Sequence, residues 1–309
     1  MAVSSGGGHA GACYVYKTRG GPLRAPKTAY TLLEPQTQTT GVVFASPQSG
    51  RDYPLWFLRK SVLDERAIRS SEDAFVDRLF DGAPNAGAPL LLAGAPRAFV
   101  DLNRSPEELD PALITDLRKV AHNPRVASGL GVVPRVVSNG RAIYRGKITL
   151  DEANARIANY WRPYHDKLQE LLDVSRAGFG RAVLVDCHSM PHEAIENSRG
   201  AARRADVVLG DRFGAAASSD IVDCIEAAFS GAGLRVARNA PFAGAFIAQQ
   251  YGRPSRGQHV VQVEIDRALY MDEASVTPNA NFAAFRALIT QVVEEVCEVG
   301  RPMVQLAAE

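Results

Sequence analysis

The run Val183-Leu-Val-Asp-Cys-His-Ser-Met-Pro191 holds the densest chemistry in the chain. Apolar, β-branched residues give way to Asp186, Cys187, His188 and Ser189, with a proline close behind. That is the pattern of a buried strand emerging into a loop. Asp186 and His188 are two apart, so they share a face of that strand. Ligands of open α/β sheets sit just beyond the carboxyl ends of strands. A histidine there, with a carboxylate beside it, suits metal binding or proton transfer. The competing reading is a hydrogen-bonded histidine closing a strand. A second such run is Val260-Val-Gln-Val-Glu-Ile265, where Gln262 and Glu264 share a face. A carboxylate inside a β-branched strand is costly unless paired or functional. Burial raises its proton affinity, which suits a general base near neutral pH. Here the competing reading is a structural pair with Arg267.

Two further strand ends bring polar groups to the same kind of place. Residues 41–45 form an apolar run that enters a turn-rich loop carrying Gln48 and Arg51. A strand predicted over 98–102 ends at Asn103 and Arg104. Other strands are predicted at 88–93 and 234–237. Between the strands lie helices. Thr149 with Glu152 three later predicts a capping box. Behind it Ala153, Ile157, Trp161, Tyr164, Leu168 and Leu171 recur at helical spacing, with the aromatics read as core. Residues 221–229 and 281–299 are predicted as two more helices. In the 69–77 segment Asp73 and Asp77 fall on one helical face, Asp73 in the first turn. Strands alternating with helices predict an α/β fold with a mixed or mostly parallel sheet.

The chain has 309 residues and a net charge of +1. We read residues 28–309 as one domain with an irregular excursion at about 107–147, and residues 1–27, rich in Gly and Ser, as a disordered tail. The balanced charge gives no general electrostatic case for nucleic acid or an acidic membrane surface, and no stretch has the apolar length of a membrane span. The four cysteines, Cys13, Cys187, Cys224 and Cys297, are widely spaced, which suits reduced thiols in a cytoplasm. The one G-x-G-x-x-G string, Gly6 to Gly11, follows no strand run, and neither G-x-x-x-x-G-K nor a G-x-S-x-G elbow is present, so nucleotide chemistry and serine hydrolysis lack their signatures. No H-E-x-x-H motif is present, and spacing alone identifies no metal site.

Several blocks, taken in order, resemble the N-formylglutamate amidohydrolase family. They are Ser46-Pro-Gln-Ser-Gly-Arg-Asp-Tyr-Pro54, Ser71-Glu-Asp-Ala-Phe-Val-Asp-Arg-Leu79, Asp101-Leu-Asn-Arg104 and Pro163-Tyr-His165. The series continues with Asp186-Cys-His-Ser-Met-Pro191, Gly210-Asp-Arg212, Asn239-Ala-Pro-Phe-Ala-Gly244, Tyr251-Gly-Arg-Pro254 and Gln262-Val-Glu-Ile-Asp-Arg-Ala-Leu-Tyr-Met271. The resemblance implies a zinc-carboxypeptidase-like α/β fold, with a mixed sheet flanked by helices. It implies a small-molecule N-formyl (or N-acyl) amino acid substrate and a Zn2+ cofactor. By the same resemblance His188, Asp73 and Gln48 are the metal ligands and Glu264 is the catalytic carboxylate. Asn103 and Arg104 form the clamp for the substrate α-carboxylate, and Arg51 or Arg253 serves a side-chain carboxylate or the oxyanion. Gln48 stands where the family pattern has histidine. An amide oxygen is a weaker donor that suits hard cations better than zinc. Three outcomes follow from it: a weakened zinc enzyme, a site for another metal, or a protein that binds an acidic amino-acid derivative without turnover. His192 is a candidate replacement nitrogen.

Overall fold

The computed structural model describes residues 25–117, 123–137, 140–199 and 205–301. The expected tail at 1–27 lies outside the described residues up to position 24, and Cys13 with it. Seven strands form one sheet: β1 (Tyr30–Leu33), β2 (Val42–Ser46), β3 (Leu90–Ala93), β4 (Ala182–Met190), β5 (Val207–Gly210), β6 (Val236–Arg238) and β7 (Gln258–Asp266). Their order is β1-β3-β2-β4-β7-β5-β6. The central strands β3, β2, β4 and β7 run parallel, while β1 and the β5–β6 pair are set antiparallel to their neighbours. The expected mixed sheet is therefore present. A two-stranded hairpin, β8 (Met271–Asp272) and β9 (Thr277–Pro278), stands apart from it.

Nine helices are described: α1 (Leu55–Lys60), α2 (Val76–Leu79), α3 (Pro124–Ala127), α4 (Leu150–Arg156), α5 (Arg162–Phe179), α6 (His192–Glu196), α7 (Ser219–Gly231), α8 (Phe246–Tyr251) and α9 (Phe282–Glu298). Side chains alternate across a strand, and the two faces of the sheet bury two apolar clusters. Val183, Val185 and Cys187 of β4 and Val261, Val263 and Ile265 of β7 pack with α7 and α9. Leu184 and Val260 lie on the other face, with α4, α5 and residues of the 107–147 segment such as Val132, Val133 and Ile143. The described residues of that segment contribute to the core on this face. Helices α7 and α9 fall within two residues of the predicted spans.

Three local expectations are corrected. Residues 98–102 are buried but form turns, not a strand: the Phe99 and Val100 amides both donate to the Pro96 carbonyl. Their burial comes from an aromatic cluster in which the Phe99 ring meets Phe57 at 5.3 Å and Tyr160 at 5.5 Å. An apolar run in such a cluster has the same sequence pattern as a core strand. Asp73 and Asp77 do not share a helix face, because Asp73 precedes α2 and Phe75 between them takes a φ of 66°. At Thr149 only half the capping box forms. Its hydroxyl accepts from the Glu152 amide, while the Glu152 carboxylate turns to Lys60 and Arg156. Five π-helical residues, Ile157–Trp161, then lead into α5.

Candidate active site

Parallel pairing of β2, β4 and β7 puts their carboxyl ends at one edge of the sheet. In that register His188 lies directly beside Glu264, and Asp186 beside Gln262. The face that is apolar at Leu184 and Val260 thus becomes polar over its second half. All four polar residues are buried.

Two loops complete the site. Gly50 lets them meet: a Cβ there would fall 2.2 Å from the Ala95 carbonyl oxygen, so the loop after β2 can press on the loop after β3 only with glycine. From the first loop Gln48 donates its Nε2 to Asp101 Oδ1 at 2.6 Å, which turns its Oε1 toward His188 Nδ1 at 3.0 Å. Asp73 Oδ2 lies 2.9 Å from the same nitrogen. On the other side of the ring, Nε2 has Asp186 Oδ1 at 3.1 Å and Asn103 Nδ2 at 3.1 Å. One imidazole therefore gathers Gln48, Asp73, Asp186 and Asn103. Asp73 and Asp101 are each held by an arginine: Arg267 reaches Asp73 Oδ1 at 3.1 Å and the Ser189 hydroxyl at 3.0 Å, and Arg97 reaches Asp101 Oδ2 at 3.1 Å. Arg267 is thus the partner of Asp73, not of Glu264.

Glu264 takes a hydrogen bond from Gln262 Nε2 at 2.7 Å on Oε1. Burial, opposed by the nearby His188 and reinforced by Asp73, pushes its carboxyl up to about 7. Burial works against charge on His188, but Asp186, Asp73 and Glu264 outweigh it and hold the imidazole well above its ordinary value. Asp73 and Asp101 are buried too; their histidine and arginine neighbours and hydrogen-bond donors keep both carboxyls below the usual range.

A cavity of about 340 Å³ opens onto Gln48, Asn103, Arg104, His188 and Glu264, with Arg97, Arg125 and Arg267 on its walls. It shares Arg104, Arg125, Gly244 and Ala245 with an outer basin of about 980 Å³. The larger space lacks the histidine and the carboxylate, so the smaller one is the chemical site and the basin is its approach. Trp161, read from sequence as core, lines that basin; its Nε1 donates to the Arg104 carbonyl and its ring stacks on His165 at 3.9 Å.

The structure brings together His188, Asp73, Gln48, Glu264, Asn103 and Arg104. Asn103 is more committed than a free clamp: its Oδ1 accepts from the Ile247 amide at the start of α8. Arg51 and Arg253 stand apart. Arg51 pairs with Asp77 at the surface, and Arg253 caps the Gln249 and Gly252 carbonyls. His192 also lies elsewhere, paired with Asp266 and Glu196. Arg97, Arg125 and Asp101 were missed from sequence, and Arg267 was read only as a structural partner of Glu264. Arginine is common on surfaces, and only the fold shows which ones line the cavity. Asp101 had one signal, its place in the Asp-Leu-Asn-Arg block.

The model of the N-formylglutamate amidohydrolase family matches residues 40–271. An N-formylglutamate deformylase of Pseudomonas aeruginosa is 31% identical over 245 residues, 78% of this chain and 86% of its own length. A crystal structure of an N-formylglutamate amidohydrolase from Ralstonia eutropha JMP134 superposes with a TM-score of 0.81 at 34% identity, covering 87% of this chain and 97% of that one. The gene product Atu2144 of Agrobacterium tumefaciens shares the fold at a TM-score of 0.61 and 16% identity, over 88% of this chain and 96% of that one. On the family match and the 31% relative, the chain belongs to the N-formylglutamate amidohydrolase family.

Proposed function

We propose that the protein hydrolyses N-formyl-L-glutamate to formate and glutamate with the help of a divalent metal ion. The observation that carries this reading is the in-register pair of His188 and Glu264 at one strand edge, with Asp73 and Gln48 converging on His188 Nδ1. Among the described residues no three His, Cys, Asp or Glu side chains form a metal-holding group. The third donor is an amide oxygen instead, and a nitrogen, a carboxylate and an amide oxygen within 3.0 Å of the nitrogen fit a divalent cation. Asp186 supports the fit. Its buried carboxylate lies 3.1 Å from Nε2, the place taken by the carboxylate behind a metal-bound histidine. Bound there, the ion would supply Lewis-acid polarisation of the formyl carbonyl and acidify a water.

The chain's own residues do the rest. Glu264, poised near neutral pH, takes the proton of the attacking water and passes it to the departing amine. Gln262 occupies Oε1, leaving Oε2 for that transfer. Arg104 holds the α-carboxylate, its guanidinium bonded among the described residues to the Leu130 and Asn103 carbonyls. Breaking the formyl C–N bond leaves formate and the free amine of glutamate.

The test is metal analysis of the purified protein together with formate release from N-formyl-L-glutamate. The reading expects bound divalent metal and equal amounts of formate and glutamate. Tight binding of N-formylglutamate with no formate released would favour the binding protein that Gln48 alone suggests.

A further inference from the structure

Four arginines line the inner cavity, and they are not equivalent. Arg97 is neutralised by Asp101 and Arg267 by Asp73. Arg104 and Arg125 are in no ion pair with a carboxylate among the described residues. Arg104 is buried, and burial, with smaller contributions from the charges of Arg97 and Arg125, lowers its proton affinity against the opposing pull of Asp101 and Glu108. Both line the cavity and the outer basin, so both stand where the two spaces join. Glu107 and Glu108, the carboxylates of the basin, accept from Ser105. Two guanidinium groups on one wall, neither in salt-bridge contact with a carboxylate among the described residues, repel each other and are stabilised by a ligand that carries two negative charges.

Arg125 is also held in place. Asn123 caps the short helix α3 by accepting from the Arg125 and Val126 amides. Arg135 ties the end of that helix to the body, donating to the Ala127 carbonyl and pairing with Asp110 at 2.8 Å. A fixed backbone limits the positions the guanidinium can take.

We infer that Arg125 is the specificity-determining residue for the substrate side chain. It takes the second carboxylate of an N-formyl dicarboxylic amino acid while Arg104 takes the first. The inference rests on the proposed function and deepens it. It also gives the side-chain anion a different partner from Arg51 and Arg253, both engaged outside the cavity.

The experiment compares N-formyl-L-glutamate with N-formyl-L-glutamine, which carries a neutral amide in place of the side-chain carboxylate, in the wild type, Arg125→Gln and Arg125→Lys. For Arg125→Gln the expected loss in kcat/KM on the acid is about 10–100-fold, the worth of one charge-assisted hydrogen bond, and falls mainly on KM. The loss on the amide should be several-fold smaller, so that preference for the acid collapses. Arg125→Lys should restore part of that preference. Equal losses on both substrates, or none on either, would overturn the inference. If the wild type releases formate from neither, the proposed function has failed; calorimetric binding of the same two compounds then decides the role of Arg125, with the same loss of preference expected.

Discussion

The two faces of β4 and β7 are built from alternate residues of the same strands, and they do opposite things. On one face Val183, Val185, Cys187, Val261, Val263 and Ile265 meet α7 and α9, with polar Ser189 and His259 only at the two ends. On the other, Leu184 and Val260 are followed by Asp186, His188, Gln262 and Glu264, all buried. The dry face gains stability from apolar area removed from water. The polar face puts titratable groups in a poorly solvated place, where burial raises the Glu264 carboxyl and, against burial, neighbouring carboxylates raise the His188 imidazole. The contrast teaches that a strand can anchor a fold and hold a reactive site at once, because its side chains have period two.

Substitutions across that boundary sharpen the contrast. The largest separation is expected between His188→Ala and Ile265→Ala. The first should weaken divalent-metal binding by more than about 100-fold, since even losses of supporting groups behind a ligand cost ~10–100-fold. The second should lower stability by about 2–5 kcal/mol in denaturant unfolding while its folded fraction keeps near wild-type kcat/KM. Next is Asp186→Asn, a positioning change behind the imidazole, expected to cost about 10–100-fold in metal affinity by titration calorimetry. Gln48→His should act in the opposite direction, raising zinc affinity by about tenfold or more, because imidazole is the better donor for zinc. The smallest effect is on pH. Glu264 must be ionised to accept a proton, so kcat/KM should fall as the pH drops through its pKa. A bound cation can only lower that value, which places the acid limb at or below about pH 7. A limb well above this would assign the base to another group.

Much of this was legible in the sequence because it follows from periodicity. The even spacing of Asp186 and His188, and of Gln262 and Glu264, fixes which residues share a face, and β4 and β7 then align them. Both long helices after β5 were legible from their apolar stripes. Features set by tertiary contact were not. The 98–102 run is buried by aromatic rings rather than by strand pairing. Asp73 reaches His188 from a turn whose geometry depends on Phe75 in the left-handed region. The places of Arg97, Arg125 and Arg267 on the cavity wall carry no local signal, and β5, only four residues long, lacks a pattern of its own.

The most direct test of the account is Glu264→Gln, assayed for formate release from N-formyl-L-glutamate with metal content and substrate binding measured on the same sample. The account predicts unchanged metal, near-normal binding and turnover reduced by about 10²–10⁴-fold, the range of general acid–base catalysis. A variant that turns over as fast as the wild type would contradict it.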